Sequence, residues 1–222
     1  GGNFVPAVAG TGAVYQTSVS GVPAVTFAAS ANSIMTNTVA PAASLLGENT
    51  VWSAEIWVLN PVLQQGAENL LSWTDRGLWT GSADGTCMEI RYGSDANNAV
   101  EHYNGSCNIP WNGTPPMAGL WHHIVITRDA AGVERLYADG SLRIAKTPAV
   151  SNLRGGAPFA LGGVWDRGAK NWQMLFSGSI SKVRVHSGTL SEAQVVANYQ
   201  LENSQYQTIW AGAAGTPLPW AD

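Results

Sequence analysis

Short runs in which hydrophobic and polar residues alternate recur along most of the chain, bounded by Gly, Pro, Asn, Asp or Ser. They fall at 22–27, 33–37, 51–59, 68–74, 87–92, 99–103, 121–128, 133–139, 142–146, 158–162 and 173–186. Alternation with period two marks half-buried strands, because successive side chains point to opposite faces of a sheet. Asp139-Gly140, between RLYA and SLRIA, supplies a two-residue turn built from residues that tolerate positive φ. One stretch breaks the rhythm. SEAQVVANYQ starts at Ser191 with Gln194 three residues on, the spacing of a capping box, and Val195, Val196 and Tyr199 form an apolar stripe. The pattern predicts an all-β fold: a two-sheet antiparallel β-sandwich or jelly roll with one short C-terminal helix.

The length of 222 residues fits one large domain of this class. The ends are different in kind, GGNFVPAVAGTG at the start and AGAAGTPLPWAD at the finish. The expected organisation is a linker or edge segment over 1–20, the sandwich over 21–203, and a C-terminal segment or linker over 204–222. Charged residues make up 12% of the chain, beside 25 glycines and 11 prolines, a composition of strands joined by many turns. A net charge of −4 gives no electrostatic footprint for nucleic acid or an anionic membrane surface. No apolar run approaches the ~20 residues of a membrane span. With no signal-peptide pattern, the expectation is a mature or excised portion of a larger polypeptide, with other domains as partners.

The two cysteines flank a candidate hairpin. Cys87 and Cys107 enclose CMEIRY and AVEHY, separated by GSDANN. A turn about Asn97 sets Cys87 opposite Cys107 and predicts a disulfide, hence an exported, extracellular protein; the alternative is two reduced, buried thiols. In that hairpin Glu89, Arg91, Glu101 and Tyr103 share one face, and Met88, Ile90, Tyr92, Val100 and His102 share the other. The second set reads as core. The first reads as solvated residues or as a secondary ligand-binding surface lining a concave sheet.

WHHIVITRDAAGVERLYADGSL at 121–142, and FALGG followed by FSGSISKVRVHSGTLSEAQVVANY at 159–199, resemble laminin-G-like, concanavalin A-like jelly-roll modules. GVPAVTFAAS, SAEIWVLNP and ENLLSWTDRG fit the opening strands of the bacterial secreted branch. The resemblance covers roughly residues 20–200. It implies two antiparallel sheets, one of them concave, with binding on that face or along the rim loops; it speaks to fold more than to function. Many relatives carry acidic residues in an early turn and a closing motif, where this chain has Phe27-Ala28-Ala29 and Ser181-Lys182. Calcium needs several hard oxygen ligands, so no metal or other cofactor is expected and calcium is not favoured.

Related jelly rolls include hydrolases and lyases, which the resemblance brings in as a catalytic alternative. Glycoside hydrolysis uses two carboxyl groups about 5–9.5 Å apart. In the cysteine-set register Glu101 lies opposite Gly93, about 13 Å along the strand from Glu89, with Arg91 between. His122 and His123 are neighbours on one strand and point to opposite faces, and no spacing resembles a zinc site. No catalytic residue is assigned. A binding role fits better. Of ten tryptophans, Trp52, Trp57 and Trp121 read as sheet packing, whereas Trp73, Trp79, Trp111, Trp165 and Trp172 read as strand ends or Gly-rich loops. WTDRG at 73–77 and WDRG at 165–168 combine a flat apolar ring with groups that bond hydroxyls bidentately. The candidate ligand-binding residues are therefore Trp73, Asp75, Arg76, Trp79, Trp165, Asp166, Arg167 and Trp172. The competing reading is an internal Asp–Arg brace with tryptophan packed on the arginine. The expected function is a non-catalytic carbohydrate-binding module with a polysaccharide or glycan as partner. The alternatives are a protein-interaction, adhesion or spacer module, or a polysaccharide-active hydrolase or lyase.

Overall fold

The computed structural model describes residues 4–7, 12–60, 67–74, 88–92, 100–103, 108–111, 116–147, 151–153 and 159–207; of Glu101, Tyr103 and Gln207 it describes the backbone only. Strands are numbered in chain order. The first sheet runs β1 (Phe4–Pro6), β4 (Met35–Asn37), β15 (Ala160–Leu161), β7 (Glu68–Ser72), β8 (Glu89–Tyr92), β9 (Val100–Tyr103) and β10 (Ile109–Trp111). The second runs β13 (Ser141–Lys146), β12 (Glu134–Ala138), β11 (Trp121–Arg128), β6 (Trp52–Leu59), β18 (Gly178–His186), β3 (Val22–Phe27) and β2 (Val14–Val19). Two small ribbons pair β5 (Gly47–Glu48) with β14 (Asn152–Leu153), and β16 (Val164–Asp166) with β17 (Asn171–Gln173). Among the described residues a single α-helix, α1, spans Glu192–Gln207. Both large sheets are antiparallel throughout. This is the two-sheet sandwich the alternation predicts.

The core lies between the sheets. Trp52, Ala54, Ile56 and Val58 of β6 meet Leu71, Ile90, Tyr92 and Val100 of the first sheet in one apolar cluster, and burial of such side chains contributes about 1.5–3 kcal/mol each. A polar bridge crosses the same interior. His102 Nδ1 lies 2.6 Å from Glu134 Oε2, and Arg128 Nη1 donates to Glu134 Oε1 at 2.9 Å, with all three side chains at most 2% exposed. The bridge joins β9 to β11 and β12, so it ties one sheet to the other.

The alternate residues of β6 are buried as well, because α1 covers the outer face of the second sheet. Trp57 stacks on Tyr206 with ring centroids 3.8 Å apart and planes 3° from parallel, and its Nε1 donates to Glu202 at 2.6 Å. Glu202 also accepts from Lys182 and Arg184. Glu55 accepts from Arg184 and Asn198. Ser191 caps α1 as the sequence predicts, its Oγ accepting from Gln194 N at 3.3 Å while its own N–H donates to Gln194 Oε1 at 2.8 Å. None of the described helices is long and apolar enough to cross a membrane.

Some boundaries differ from expectation. The run 173–186 divides, because Met174 adopts φ 52° and ends β17 before β18 begins at Gly178. Within residues 1–20, read as a linker or edge segment, β1 and β2 lie at the edges of the two large sheets. The helix continues past 203 to Gln207, where Tyr206 docks on Trp57 and Trp121.

Candidate functional site

The two tryptophan echoes have different surroundings. Ser72 pairs with Glu89 on the face turned from the core, so the next residue, Trp73, points inward. It is fully buried at 0% exposure, packs edge-on against Trp52 at 5.3 Å and donates Nε1–H to Leu45 O at 3.3 Å. Trp73 is thus a core residue, and its reading as an exposed ligand platform is corrected. Trp111, read as a strand end or loop residue, is the last residue of β10, at 7% exposure with the Arg143 guanidinium 5.1 Å from its ring centre. Asp75, Arg76 and Trp79 lie outside the described residues.

The second echo forms a hairpin. Trp165 of β16 sits directly opposite Trp172 of β17. The two indoles meet edge to face, 5.4 Å between centroids and 67° between planes, and both are partly exposed. They form an L-shaped apolar corner. Asp166 Oδ1 accepts from Ala169 N at 2.8 Å, a local side-chain-to-backbone bond that braces the tip, while Arg167 and Lys170 are exposed there. Asp166 holds the turn, and both tryptophans stay partly exposed.

The hairpin is rooted on β7. Asn69 Nδ2 donates to Gly163 O at 2.7 Å, and Ser72 Oγ donates to the same carbonyl at 3.3 Å. Asn69 N–H donates to Met174 O at 2.7 Å. One buried residue thus holds the chain on both sides of the hairpin. Gly162 can approach the core beneath because it lacks a side chain; at its φ of +82° a Cβ would lie 2.4 Å from Phe27. Glu68, Asn69 and Ser72 are not among the residues the sequence pattern singles out. A buried asparagine in an otherwise apolar NLL run is the signal that was present.

Next to Asn69 on the outward face of β7–β9 lie the secondary candidates. Glu89 pairs with Tyr103, and Arg91 with Glu101. The register differs by two residues from the one that sets Cys87 opposite Cys107, and both cysteines lie outside the described residues. An even shift keeps every side chain on its face, so the predicted division into two sets survives. Two consequences change. Glu101 now sits about 7 Å along the strand from Glu89 rather than about 13 Å. Glu89 and Arg91 are also not solvated: their side chains are 0% and 3% exposed and joined by a 2.7 Å ion pair. A second hydrogen bond, Arg91 Nε to Glu89 Oε2, is 2.9 Å. The other set, Met88, Ile90, Tyr92, Val100 and His102, is buried core as predicted.

Elsewhere the candidate chemistry is structural. His122 Nδ1 lies 2.8 Å from Asp139, whereas His123 stacks on Trp57 on the opposite face. Ser181 donates to Pro23 O, and Lys182 to Glu202. Among the described residues no three His, Cys, Asp or Glu side chains converge on a point that could hold a metal. Burial pushes the Glu68 carboxyl up to about 7, against the opposing hydrogen bonds from Ser177 and Asn60.

The family model of the concanavalin A-like lectin/glucanases superfamily, laminin-G type, matches residues 32–196, and the chain belongs to that family. Solved structures of the same fold include a Bacteroides ovatus protein assigned to carbohydrate binding (19% identity, TM-score 0.57, 78% of this chain and 45% of that one). A second is the binding domain of Paraclostridial Mosquitocidal Protein 1 (14%, 0.64, 89% and 47%). A third is domain 4 of AbnA, an extracellular arabinanase of Geobacillus stearothermophilus, in complex with arabinotriose (20%, 0.53, 89% and 81%). This chain spans less than half the length of the first two. No curated protein matches.

Proposed function

We propose that this chain is a non-catalytic carbohydrate-binding module of a larger secreted protein, and that it holds glycan against the Trp165–Trp172 corner. The observation that carries this reading is the pairing of two partly exposed indoles across a hairpin anchored by buried hydrogen bonds. Pyranose and furanose rings present C–H faces edged by hydroxyls. An indole offers a matching flat surface at little conformational cost, and the exposed Arg167 follows two residues after Trp165, a residue type that donates to hydroxyl and carboxylate oxygens. The family and the arabinotriose complex of a similar domain support the ligand class. A glycan array probed with wild-type protein and with Trp165→Ala tests the reading. Binding that is present in the first and lost in the second is expected; no binding by the wild type to any polysaccharide would refute it.

A protein-interaction role is the second reading, and β2 favours it. This edge strand, VYQTSV, carries no charge, and Val14 and Tyr15 are 57% and 65% exposed. Exposed uncharged edges are templates for pairing with another chain.

A further inference from the structure

We infer that the Glu68–Asn69 dipeptide is the mount that positions the tryptophan hairpin, and that a proton on this mount controls how often the hairpin detaches. The two residues hold neighbouring parts of the same segment. Asn69 bonds Gly163 O before the hairpin and Met174 O after it. Glu68 Oε1 accepts from Ser177 N at 3.1 Å, three residues further on, and Oε2 accepts from Asn60 Nδ2 at 3.0 Å. The stretch from 163 to 177 is therefore pinned at three points by two adjacent residues of β7.

The mount is buried, with Glu68 3% and Asn69 0% exposed. Glu68 receives hydrogen bonds from two neutral donors, and among the described residues no cation forms an ion pair with it. The groups facing it are Tyr92 opposite on β8, Asn60 after β6 and Ser177 before β18. Asp139, itself bonded to His122, adds negative charge near the Tyr92 hydroxyl. A carboxylate there is desolvated, and two neutral donors offset only part of that cost, which favours the neutral acid. The ionised form gains by opening to water, and the connection that opens is the one to Ser177. Asn69 is a positioning residue on this account: it fixes the ring pair without touching ligand.

The size of the effect follows from linkage. The folded carboxyl titrates at about 7 and the ordinary value is 4.5. If detachment returns Glu68 to water, the opening constant should rise about tenfold between about pH 6 and pH 8. Hydrogen exchange on the intact protein, corrected for intrinsic rates, reads this directly. Peptides covering 163–177 should lose protection by that factor in wild type while those covering 121–128 do not. In Glu68→Gln the pH dependence should vanish. Asn69→Ala should raise exchange over the same segment and weaken the exciton couplet of the Trp165–Trp172 pair, isolated from Trp52–Trp73 by difference against Trp172→Ala. Protection of 163–177 that is flat with pH in wild type overturns the inference, and wild type alone decides this if a variant fails to fold. So does a pH response that persists in Glu68→Gln. The inference rests on the proposed function only in naming the hairpin as the ligand platform. The exchange readout needs no ligand, so an absence of glycan binding would contradict that function and leave the mount standing.

Discussion

Trp165 and Trp172 face each other across a two-stranded ribbon, 5.4 Å between ring centres, and both remain partly exposed. Trp73, in the matching stretch of sequence, has no exposed surface. The pair predicts an asymmetry between the two copies. Trp73→Ala should cost about 3–5 kcal/mol of stability through a core cavity. Trp165→Ala and Trp172→Ala should cost about 1 kcal/mol or less, since a surface ring leaves little void. Denaturant unfolding of the three variants measures this.

Glu68 predicts a destabilisation on going to alkaline pH. Its folded value is raised, so its contribution is fully present below about 4.5 and is lost as pH rises through about 7. Glu68→Gln, which mimics the neutral acid, should match wild type near pH 4 and exceed it above about pH 8. The margin is at most about 3 kcal/mol. Melting curves should diverge progressively between about pH 4.5 and pH 7 and stay apart above that.

The seat of α1 predicts the opposite dependence. Burial raises the Glu202 carboxyl, but the bonds from Arg184, Lys182 and Trp57 outweigh it and hold the group down to about 2. Burial likewise raises Glu55, and the hydrogen bonds from His123, Arg184, Asn198 and His186 hold it still lower. Depressed carboxylates stabilise above about 4.5 and lose that contribution as pH falls toward 2. Acid should therefore release α1 and unstack Tyr206 from Trp57. Tryptophan fluorescence during acid titration should shift over this window, and the shift should be smaller in Glu202→Gln.

The cysteine pair remains a proposal of its own. If Cys87 and Cys107 are bridged, the unreduced protein is lighter by two hydrogens and resists alkylation. The bridge would add roughly 3 kcal/mol in the chain-entropy model. Two thiols alkylated without reductant would exclude it.

How much of this was legible in the sequence depended on whether a local rule was enough. The strands at 22–27 and 121–128 appear where the alternation puts them, and Ser191 with Gln194 forms the cap its spacing implies. The faces of β8 and β9 were also readable, because parity survives a slip of two residues, although the pairing partner does not. The site was less so. WTDRG and WDRG look alike, and what separates them is the layer each tryptophan meets: Trp73 continues β7 into the core, and Trp165 lies on a ribbon of two strands. The root at Asn69 was hidden because its partner Gly163 lies 94 residues away in sequence. Glu89 and Arg91, readable from alternation as either solvated or ligand-lining, are buried, because alternation gives a face but not what covers it.

The central claim is that the Trp165–Trp172 corner holds a glycan. Its most direct test is calorimetric titration of wild type and Trp172→Ala with the best oligosaccharide from an array, with melting recorded on the same samples. The account predicts that Trp172→Ala loses about 1–3 kcal/mol of binding, by analogy with base stacking on aromatics, and melts close to wild type. Undiminished affinity in a folded Trp172→Ala protein would contradict it and move the ligand to another surface.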